Sequence, residues 1–244
     1  MSQRRFLVSP ADLDQDLVEL SPEEAAHALK VLRLAPGDDL WLLDGAGRRA
    51  RARVETTGKG RVSCRVLERE APPRPRPRLV LLCGLLKAPA LELLAVKLTE
   101  LAVDEVRLVL SQRAVPKPKP GREARLDRLA AQALKQCGAA WAPVFHPPQT
   151  LAEALAAAPD QARKVILYED ETGQSLAEAL ARPPAAEEVW GLVGPEGGFA
   201  PEEVAQAQAA GFVSCGLGPV ILRAETAALA CAALVRFYPV PGLP

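Results

Sequence analysis

The fold of this chain is decided by residues 189–203, which read VWGLVGPEGGFAPEE. The apolar run at 189–193 predicts a buried strand, and Pro201 followed by two glutamates predicts a helix over 201–210. Three glycines in the intervening loop permit positive φ and allow a ligand to approach bare backbone. The stretch therefore predicts one strand, one ligand-accessible loop and one helix of an α/β sheet.

The same alternation of strands and helices extends on both sides of this stretch. The predicted strands are residues 79–83, 105–110, a short one near 144, 164–168, 189–193 and 213–217. The predicted helices are residues 90–101, 123–136, 151–157, 175–181, 201–210 and 224–236. Such apolar strands between helices indicate a parallel sheet covered on both faces, and ligands bind beyond the carboxyl ends of its strands.

Residues 71–78, which read APPRPRPR, predict an extended linker. Each proline lacks a backbone donor and pushes the preceding residue out of helical geometry. We therefore expect two domains, a small one at 1–72 and the α/β domain at 73–244.

The N-terminal part shows short β signals separated by glycine-containing turns. Its predicted strands are residues 39–43, 49–55 and 61–68, which suggests a meander or a small barrel. One helix is predicted over 22–32, with Ser21 as its N-cap and Glu24 at the capping-box position.

Charge and composition exclude several classes of protein. The 244 residues are 49% hydrophobic, and 30 basic side chains balance 30 acidic ones, so bulk electrostatics alone does not hold this chain to nucleic acid. No apolar stretch is long enough for a membrane span or a signal peptide. The five cysteines are scattered and the two histidines have no metal-type spacing, so we expect no metal and a reducing, cytoplasmic location.

Basic residues are nevertheless clustered locally. The clusters are Arg48, Arg49, Arg51 and Arg53; Arg74, Arg76 and Arg78; and Lys117, Lys119, Arg122, Arg125 and Arg128. Each could be a solvated surface, but three clusters of one sign favour an RNA-facing surface.

A second glycine-bearing loop, residues 216–227, reads GLGPVILRAETA. It leaves the strand predicted at 213–217 and places Arg223 and Glu225 at the start of the last helix. Two such loops on neighbouring parallel strands predict one shared crevice. A nucleotide- or dinucleotide-dependent enzyme is disfavoured, because the chain has no P-loop lysine and no G-x-G-x-x-G, and the helix at 201 begins with acidic residues.

The pair GPEGGF and ILRAET closely resembles the ribosomal RNA small subunit methyltransferase E family of the SPOUT superfamily. Residues 27–33 (HALKVLR), 97–101 (KLTEL) and 135–138 (KQCG) also match motifs of that family. The resemblance implies a trefoil-knotted SPOUT domain, an N-terminal PUA-like RNA-binding barrel and a homodimer. It further implies S-adenosylmethionine as cofactor and N3 of a uridine in 16S ribosomal RNA, within the small ribosomal subunit, as the methyl acceptor.

Roles for individual residues follow from this resemblance together with the chemistry of the acceptor, because uracil N3 is a poor nucleophile until its proton leaves. Arg223 is expected to stabilise negative charge on uracil or to anchor a phosphate, and Glu225 to orient Arg223 or the base. The residues expected to bind the cofactor are Leu167, Tyr168, Gly194, Pro195, Glu196, Gly197, Gly198, Leu217, Gly218, Ile221, Leu222, Thr226 and Ala227. Those expected to contact RNA are Arg4, Arg5, Lys30, Arg33, Arg113 and Lys135.

Some positions depart from the family pattern. Ala139, Trp141 and Val220 stand where relatives usually carry basic residues, and Trp141 could either pack or stack on a base. Two alternatives stay open on this ground: an RNA-binding or ribosome-assembly factor with weakened catalysis, and a SPOUT methyltransferase with a different RNA target.

Overall fold

The computed structural model describes residues 4–182 and 187–237. Their contacts divide the described chain into two compact units. The first comprises residues 4–74 and 131–142, and the second comprises 75–130 together with the described residues after 142. The last seven residues of the domain predicted at 73–244 lie outside the described residues.

The first unit is built on a five-stranded sheet with the order β1-β3-β4-β5-β2. Its strands are β1 (Arg5–Leu7), β2 (Leu17–Glu19), β3 (Asp39–Leu43), β4 (Arg49–Gly58) and β5 (Arg61–Glu70). Along β4, Ala50, Ala52 and Val54 are buried in the core while the arginines between them face outward. This period-two pattern confirms the three predicted strands; β1 and β2, each three residues long, were not predicted.

The predicted helix at 22–32 is an α-helix, α1 (Pro22–Ala26), that continues as a π-helical turn, His27–Val31. The Ser21 hydroxyl accepts from the Glu24 amide at 3.3 Å, as an N-cap should. The expected capping box is wrong, because the Glu24 carboxylate instead accepts from Lys135 Nζ at 2.7 Å. Glu24 is buried, and the ion pair with Lys135 compensates its negative charge.

Residues 131–142 contain the C-terminal half of the helix α3 (Arg122–Cys137). Arg5 Nη1 donates to the carbonyls of Lys135 and Gln136 at 3.0 Å each, which caps the helix end. Trp141 packs so closely on Gly47 that a Cβ there would lie 2.1 Å from the indole. The indole also donates to the Pro72 carbonyl at 3.4 Å, so Trp141 is a packing residue within this unit.

The second unit contains a six-stranded parallel sheet with the order β11-β9-β10-β6-β7-β8. The strands are β6 (Arg78–Gly84), β7 (Glu105–Leu110), β8 (Val144–Thr150), β9 (Arg163–Leu167), β10 (Glu188–Val193) and β11 (Val213–Cys215). The remaining helices are α2 (Ala88–Glu100), α4 (Leu151–Ala156), α5 (Leu176–Ala181), α6 (Pro201–Ala209) and α7 (Ala224–Phe237). The alternation predicted from apolar runs is thereby confirmed.

Helices cover both faces of this sheet. Leu79, Leu81 and Cys83 of β6 point into a core shared with α2, α5 and α7. Val80 and Leu82 point to the opposite face, into a core shared with α4 and α6. Because β6 is buried on both sides, its sequence is a continuous apolar run, as a parallel strand requires.

The strand order indicates where along the sheet a ligand can bind. Strands β7 and β8 follow β6 on one side of it, and β10, β9 and β11 lie on its other side. The order therefore reverses between β6 and β10, and a crevice opens at the carboxyl ends of strands at such a switch point. The trefoil knot stays a prediction from the family resemblance. None of the helices in the described ranges is long and apolar enough to cross a membrane.

Candidate active site

A cavity of about 650 Å³ lies at the carboxyl ends of four strands of the second unit. The loops that follow β6, β9, β10 and β11 form its walls, together with the start of α2 and α7. Its volume is within the range of small-molecule and cofactor sites. The two glycine-bearing loops at 194–198 and 216–222 therefore meet in one cavity.

Most of the predicted site residues line this cavity. They are Leu167, Tyr168, Gly194, Pro195, Glu196, Gly198, Leu217, Gly218, Ile221, Leu222, Arg223, Glu225 and Ala227. Gly197 and Thr226 belong to the same loops but are not among the lining residues. Lys87 and Glu169 also line the cavity and were not predicted. Both follow the end of a parallel strand, so the strand-end rule contained the signal.

The loop after β10 lies directly against the end of β6. A Cβ on Gly84 would be 2.4 Å from the Pro195 nitrogen, a distance that real Cβ atoms do not adopt. Since that neighbour is backbone, only glycine at 84 allows the Pro195 wall of the cavity to sit where it does.

Replacing Gly84 by alanine should therefore displace the loop at 194–198. We expect a loss of about 1–3 kcal/mol in the free energy of unfolding, as for other overpacked sites, and weaker cofactor binding. Urea unfolding and calorimetry measure the two effects. Gly58→Ala is the matched control, because a Cβ there meets nothing within 4 Å; equal behaviour of the two variants would contradict the argument.

Glu196 joins two walls of the cavity. Its Oε1 accepts from the main-chain amide of Lys87 at 3.1 Å. Lys87 is the N-cap of α2 and its own side chain does not cap the helix. The carboxylate from the loop after β10 therefore satisfies an amide at the start of α2 and fixes Lys87 at the cavity rim.

We expect Glu196→Ala to lower the free energy of unfolding by about 1 kcal/mol, as loss of a helix cap does, and to weaken cofactor binding. Glu196→Gln retains an acceptor oxygen and should behave nearly like the wild type in both measurements. Glu202→Ala removes a nearby exposed carboxylate as a control. If Glu196→Gln and Glu196→Ala bind the cofactor equally poorly, the hydrogen bond to the Lys87 amide does not determine cofactor affinity.

The other two loops are joined by backbone hydrogen bonds. The Gly216 amide donates to the Gln174 carbonyl at 2.8 Å, and the Tyr168 amide donates to the Cys215 carbonyl at 3.0 Å. Gly218 has φ +108°, which a residue with a side chain rarely adopts. These bonds hold the glycine turn after β11 beside the loop after β9.

The start of α6 is not a phosphate cradle. The buried carboxylate of Glu203 accepts from the amides of Ala200 and Gln112, each at 2.9 Å. A helix N-terminus whose amide is bonded by its own carboxylate offers little to an external anion.

Two lining residues are unsuited to act as bases or nucleophiles near neutral pH. Burial raises the pKa of the Cys215 thiol to about 12, so it stays protonated. A hydrogen bond to Asp170 raises the pKa of the Tyr168 phenol above its ordinary value. The remaining acidic side chains of the wall are Glu169, Glu196 and Glu225. Glu196 holds the Lys87 amide, and Glu169 and Glu225 are the other two carboxylates that line the cavity.

Arg223 and Glu225 stand at the mouth of the cavity where α7 begins. The Arg223 carbonyl accepts from the Ala227 amide at 2.8 Å, so Arg223 forms the N-terminal boundary of the helix. Its side chain is exposed, and Val220 and Ile221 beside it are 69% and 80% exposed. A cation next to exposed apolar side chains suits a substrate that is both anionic and aromatic.

The six residues expected to contact RNA lie in different settings. Arg4 pairs with Asp38 at 2.8 Å, while Arg5 and Lys135 make the internal contacts described above. Arg113 lies beside the loop after β10, with its Nη1 3.5 Å from the Gly197 carbonyl. Lys30 and Arg33 are exposed on the first unit. No group of His, Cys, Asp and Glu suited to a metal occurs among residues 4–182 and 187–237.

The fold and the cavity together define an α/β protein with a cofactor-sized site made of strand-end loops. Comparisons with known proteins place it among RNA methyltransferases. Residues 72–236 match the model of an RNA methyltransferase domain, and residues 20–67 match an RNA methyltransferase PUA domain.

The similar proteins are consistent with one another. Ribosomal RNA small subunit methyltransferase E of Mycobacterium bovis is 34% identical, covering 84% of this chain and 80% of the relative. The Bacillus subtilis protein of the same name is 29% identical, covering 93% of each. A crystal structure of this methyltransferase from Neisseria gonorrhoeae, bound to S-adenosyl methionine, has a TM-score of 0.84 at 29% identity, covering 95% of each chain. The chain belongs to the ribosomal RNA small subunit methyltransferase E family.

Proposed function

We propose that this chain transfers the methyl group of S-adenosylmethionine to N3 of a uridine in 16S ribosomal RNA. The observation that carries the proposal is the single cavity formed by the loops at 194–198 and 216–222. A solved relative was crystallised with S-adenosyl methionine bound, and this cavity has the size of a cofactor site; we therefore take it as the methyl-donor site.

The residues present fit that cofactor. Leu217, Ile221 and Leu222 offer apolar surface for an adenosine, and the glycine turns offer bare backbone for its polar edge. Three lining carboxylates, of Glu169, Glu196 and Glu225, outnumber the two lining cations, which suits a ligand with a positive sulfonium. When bound, the cofactor supplies an electrophilic methyl group; the chain supplies position and electrostatics.

Two side chains act on the acceptor base during methyl transfer. Uracil N3 carries a weakly acidic proton and is a poor nucleophile until that proton leaves. Arg223 stabilises the negative charge that develops on the ring as the proton leaves. Glu225, two residues further at the start of α7, orients Arg223 or accepts the proton.

The chain acts as a cytoplasmic homodimer on RNA of the small ribosomal subunit. The outer face of α7 supports the dimer, because Leu229 and Leu234 are only partly buried within one copy. Leu93 and Ile221 beside the cavity are also exposed. A second copy would cover this apolar surface and exclude water from the site.

One rival reading is an RNA-binding factor without catalysis. The packing of Trp141 against Gly47 gives one departure from the family pattern a structural reason. Mass-spectrometric mapping of 16S ribosomal RNA, after incubation with the chain and labelled S-adenosylmethionine, tests the proposal. We expect label on N3 of a single uridine. Absence of transfer favours the RNA-binding factor, and label at another position indicates a different RNA target.

A further inference from the structure

One acidic side chain of the cavity wall spans two of the loops that form it. Glu169 follows β9, yet its carboxylate lies against the turn at 194–198, where a Cβ on Gly198 would be 2.2 Å from Glu169 Oε1. Gly198 has φ +68°, and its amide donates to the Pro195 carbonyl at 2.9 Å. Glycine at 198 therefore leaves the space that the Glu169 carboxylate occupies in the cavity wall.

The acidic side chains that follow Glu169 in the sequence are engaged within the chain, and Glu169 is not. Glu171 Oε1 accepts from the Gly173 amide at 2.8 Å, and Asp170 accepts from the Tyr168 hydroxyl. In the part of the chain that the structure describes, the Glu169 carboxylate has neither a hydrogen bond nor an ion pair. Both of its oxygens are therefore available to a ligand in the cavity that Glu169 lines.

The strand order places Glu169 beside the apolar wall of the cavity. Strand β9 lies between β11 and β10, so the loop that carries Glu169 has the loop after β11 on one side and the glycine turn after β10 on the other. The Tyr168 amide, directly before Glu169, donates to the Cys215 carbonyl at the end of β11 at 3.0 Å. The apolar side chains of the loop after β11 that line the cavity are Leu217, Ile221 and Leu222.

An uncommitted carboxylate next to an apolar wall matches the chemistry of a nucleoside. The base is flat and largely apolar, and the ribose joined to it carries adjacent hydroxyls at C2′ and C3′. A carboxylate has two acceptor oxygens, and hydrogen bonds to an ionised acceptor are about twice as strong as neutral ones. Dinucleotide-binding α/β proteins use an acidic side chain for the ribose of their cofactor.

Resting on the function proposed above, we propose that Glu169 binds the ribose of S-adenosylmethionine by accepting from its 2′ and 3′ hydroxyls. The adenine then packs on the apolar side chains of the loop after β11, one strand away. Because the ribose carries the sulfonium through a single methylene, a fixed ribose also limits the directions in which the methyl group can point.

The assignment gives each carboxylate of the cavity wall a separate task. Glu196 holds the amide at the start of α2, Glu169 holds the ribose, and Glu225 stays with Arg223 at the start of α7. Glu169 is therefore a positioning residue for the methyl donor and does not take the proton of the acceptor base.

Calorimetric binding to the full chain tests this assignment. The probes are S-adenosylmethionine, S-adenosylhomocysteine, and the 2′-deoxy and 3′-deoxy analogues of S-adenosylhomocysteine. The wild type should bind each deoxy analogue roughly 10–100-fold more weakly than S-adenosylhomocysteine, the usual effect of removing a hydrogen bond to a charged group. Glu169→Ala should bind S-adenosylhomocysteine with a similar loss. It should no longer distinguish that ligand from the deoxy analogues, because the interaction is already absent.

Three further variants separate the position of the carboxylate from its charge. Glu169→Asp keeps the charge but withdraws the carboxylate by one methylene, so it should bind the four ligands as Glu169→Ala does. Glu169→Gln keeps one acceptor oxygen at the same reach and should lose less affinity. Glu202→Ala removes an exposed carboxylate that does not line the cavity and should keep wild-type affinity. The melting midpoint of every variant is measured to exclude unfolding.

Four results would contradict the assignment. They are discrimination against the deoxy analogues that survives in Glu169→Ala, wild-type affinities in Glu169→Asp, a loss confined to S-adenosylmethionine, and a wild type that binds none of the probes. The third result would place the sulfonium, and not the ribose, beside the carboxylate. The fourth also contradicts the proposed function. A wild type that reads the ribose through Glu169 but transfers no methyl group to RNA contradicts the proposed function alone.

Discussion

Replacing Arg223 by methionine is expected to lower kcat/KM for methylation of ribosomal RNA roughly 10²–10³-fold, the usual effect of removing one group that stabilises developing charge. Arg223 lines the cavity at the start of α7, next to exposed Val220 and Ile221. Methionine preserves length and apolar contact but cannot stabilise an anionic uracil. The loss should fall mainly on kcat, because charge develops on the ring only as the N3 proton leaves.

One further measurement and two further variants serve as controls for that result. Affinity for S-adenosylmethionine should stay close to wild type in Arg223→Met, as measured by calorimetry. Arg61→Met removes an exposed arginine of the first unit and should retain full activity. Glu225→Gln should reduce kcat as well, since the neutral amide cannot accept a proton. Wild-type kcat/KM in Arg223→Met would remove the group from the mechanism.

Replacing Arg236 by methionine should lower the free energy of unfolding by about 3–5 kcal/mol, because the buried carboxylate of Asp104 would lose its ion-pair partner. Arg236 Nη2 lies 2.7 Å from Asp104 Oδ2, and the two side chains are only 4% and 2% exposed. Asp104 also accepts from the Leu79 amide at 2.7 Å. The pair therefore joins the end of α7 to the start of β6.

Urea unfolding measures this effect. Arg236→Met combined with Asp104→Asn should recover part of the loss, because a neutral amide still accepts from the Leu79 amide and leaves no buried charge. Arg53→Met, which breaks the half-exposed pair with Asp39, is the matched surface control and should cost about 0–1 kcal/mol. A similar small loss in Arg236→Met would show that the buried pair is not the anchor.

The second unit was predictable because its strands are buried on both faces. A run such as 79–83 is apolar throughout, and the helices between such runs have their own periodicity. The first unit was less so: β1 and β2 have three residues each, too few for a period-two pattern to register. The addition of residues 131–142 to that unit depends on contacts such as Arg5 with the Lys135 carbonyl, which are 130 residues apart and leave no local signal.

In the candidate site, too, the local pattern was predictable and the long-range contacts were not. The strand-end rule predicted that the glycine turns at 194–198 and 216–222 share a crevice, and they do. It could not say that Glu196 points to the Lys87 amide rather than into the loop, because that depends on the position of α2. Composition also could not predict which arginines form ion pairs. Pairs such as Arg53 with Asp39 and Arg49 with Glu70 follow from strand register.

A crystal structure of the full chain grown with S-adenosylmethionine tests the central claim most directly. The claim is that the turns at 194–198 and 216–222 form one methyl-donor site. We predict ligand density between those two turns, with the sulfonium methyl facing the side of the cavity that Arg223 and Glu225 border. Density elsewhere on the molecule, or a cavity that stays empty at saturating ligand, would contradict it.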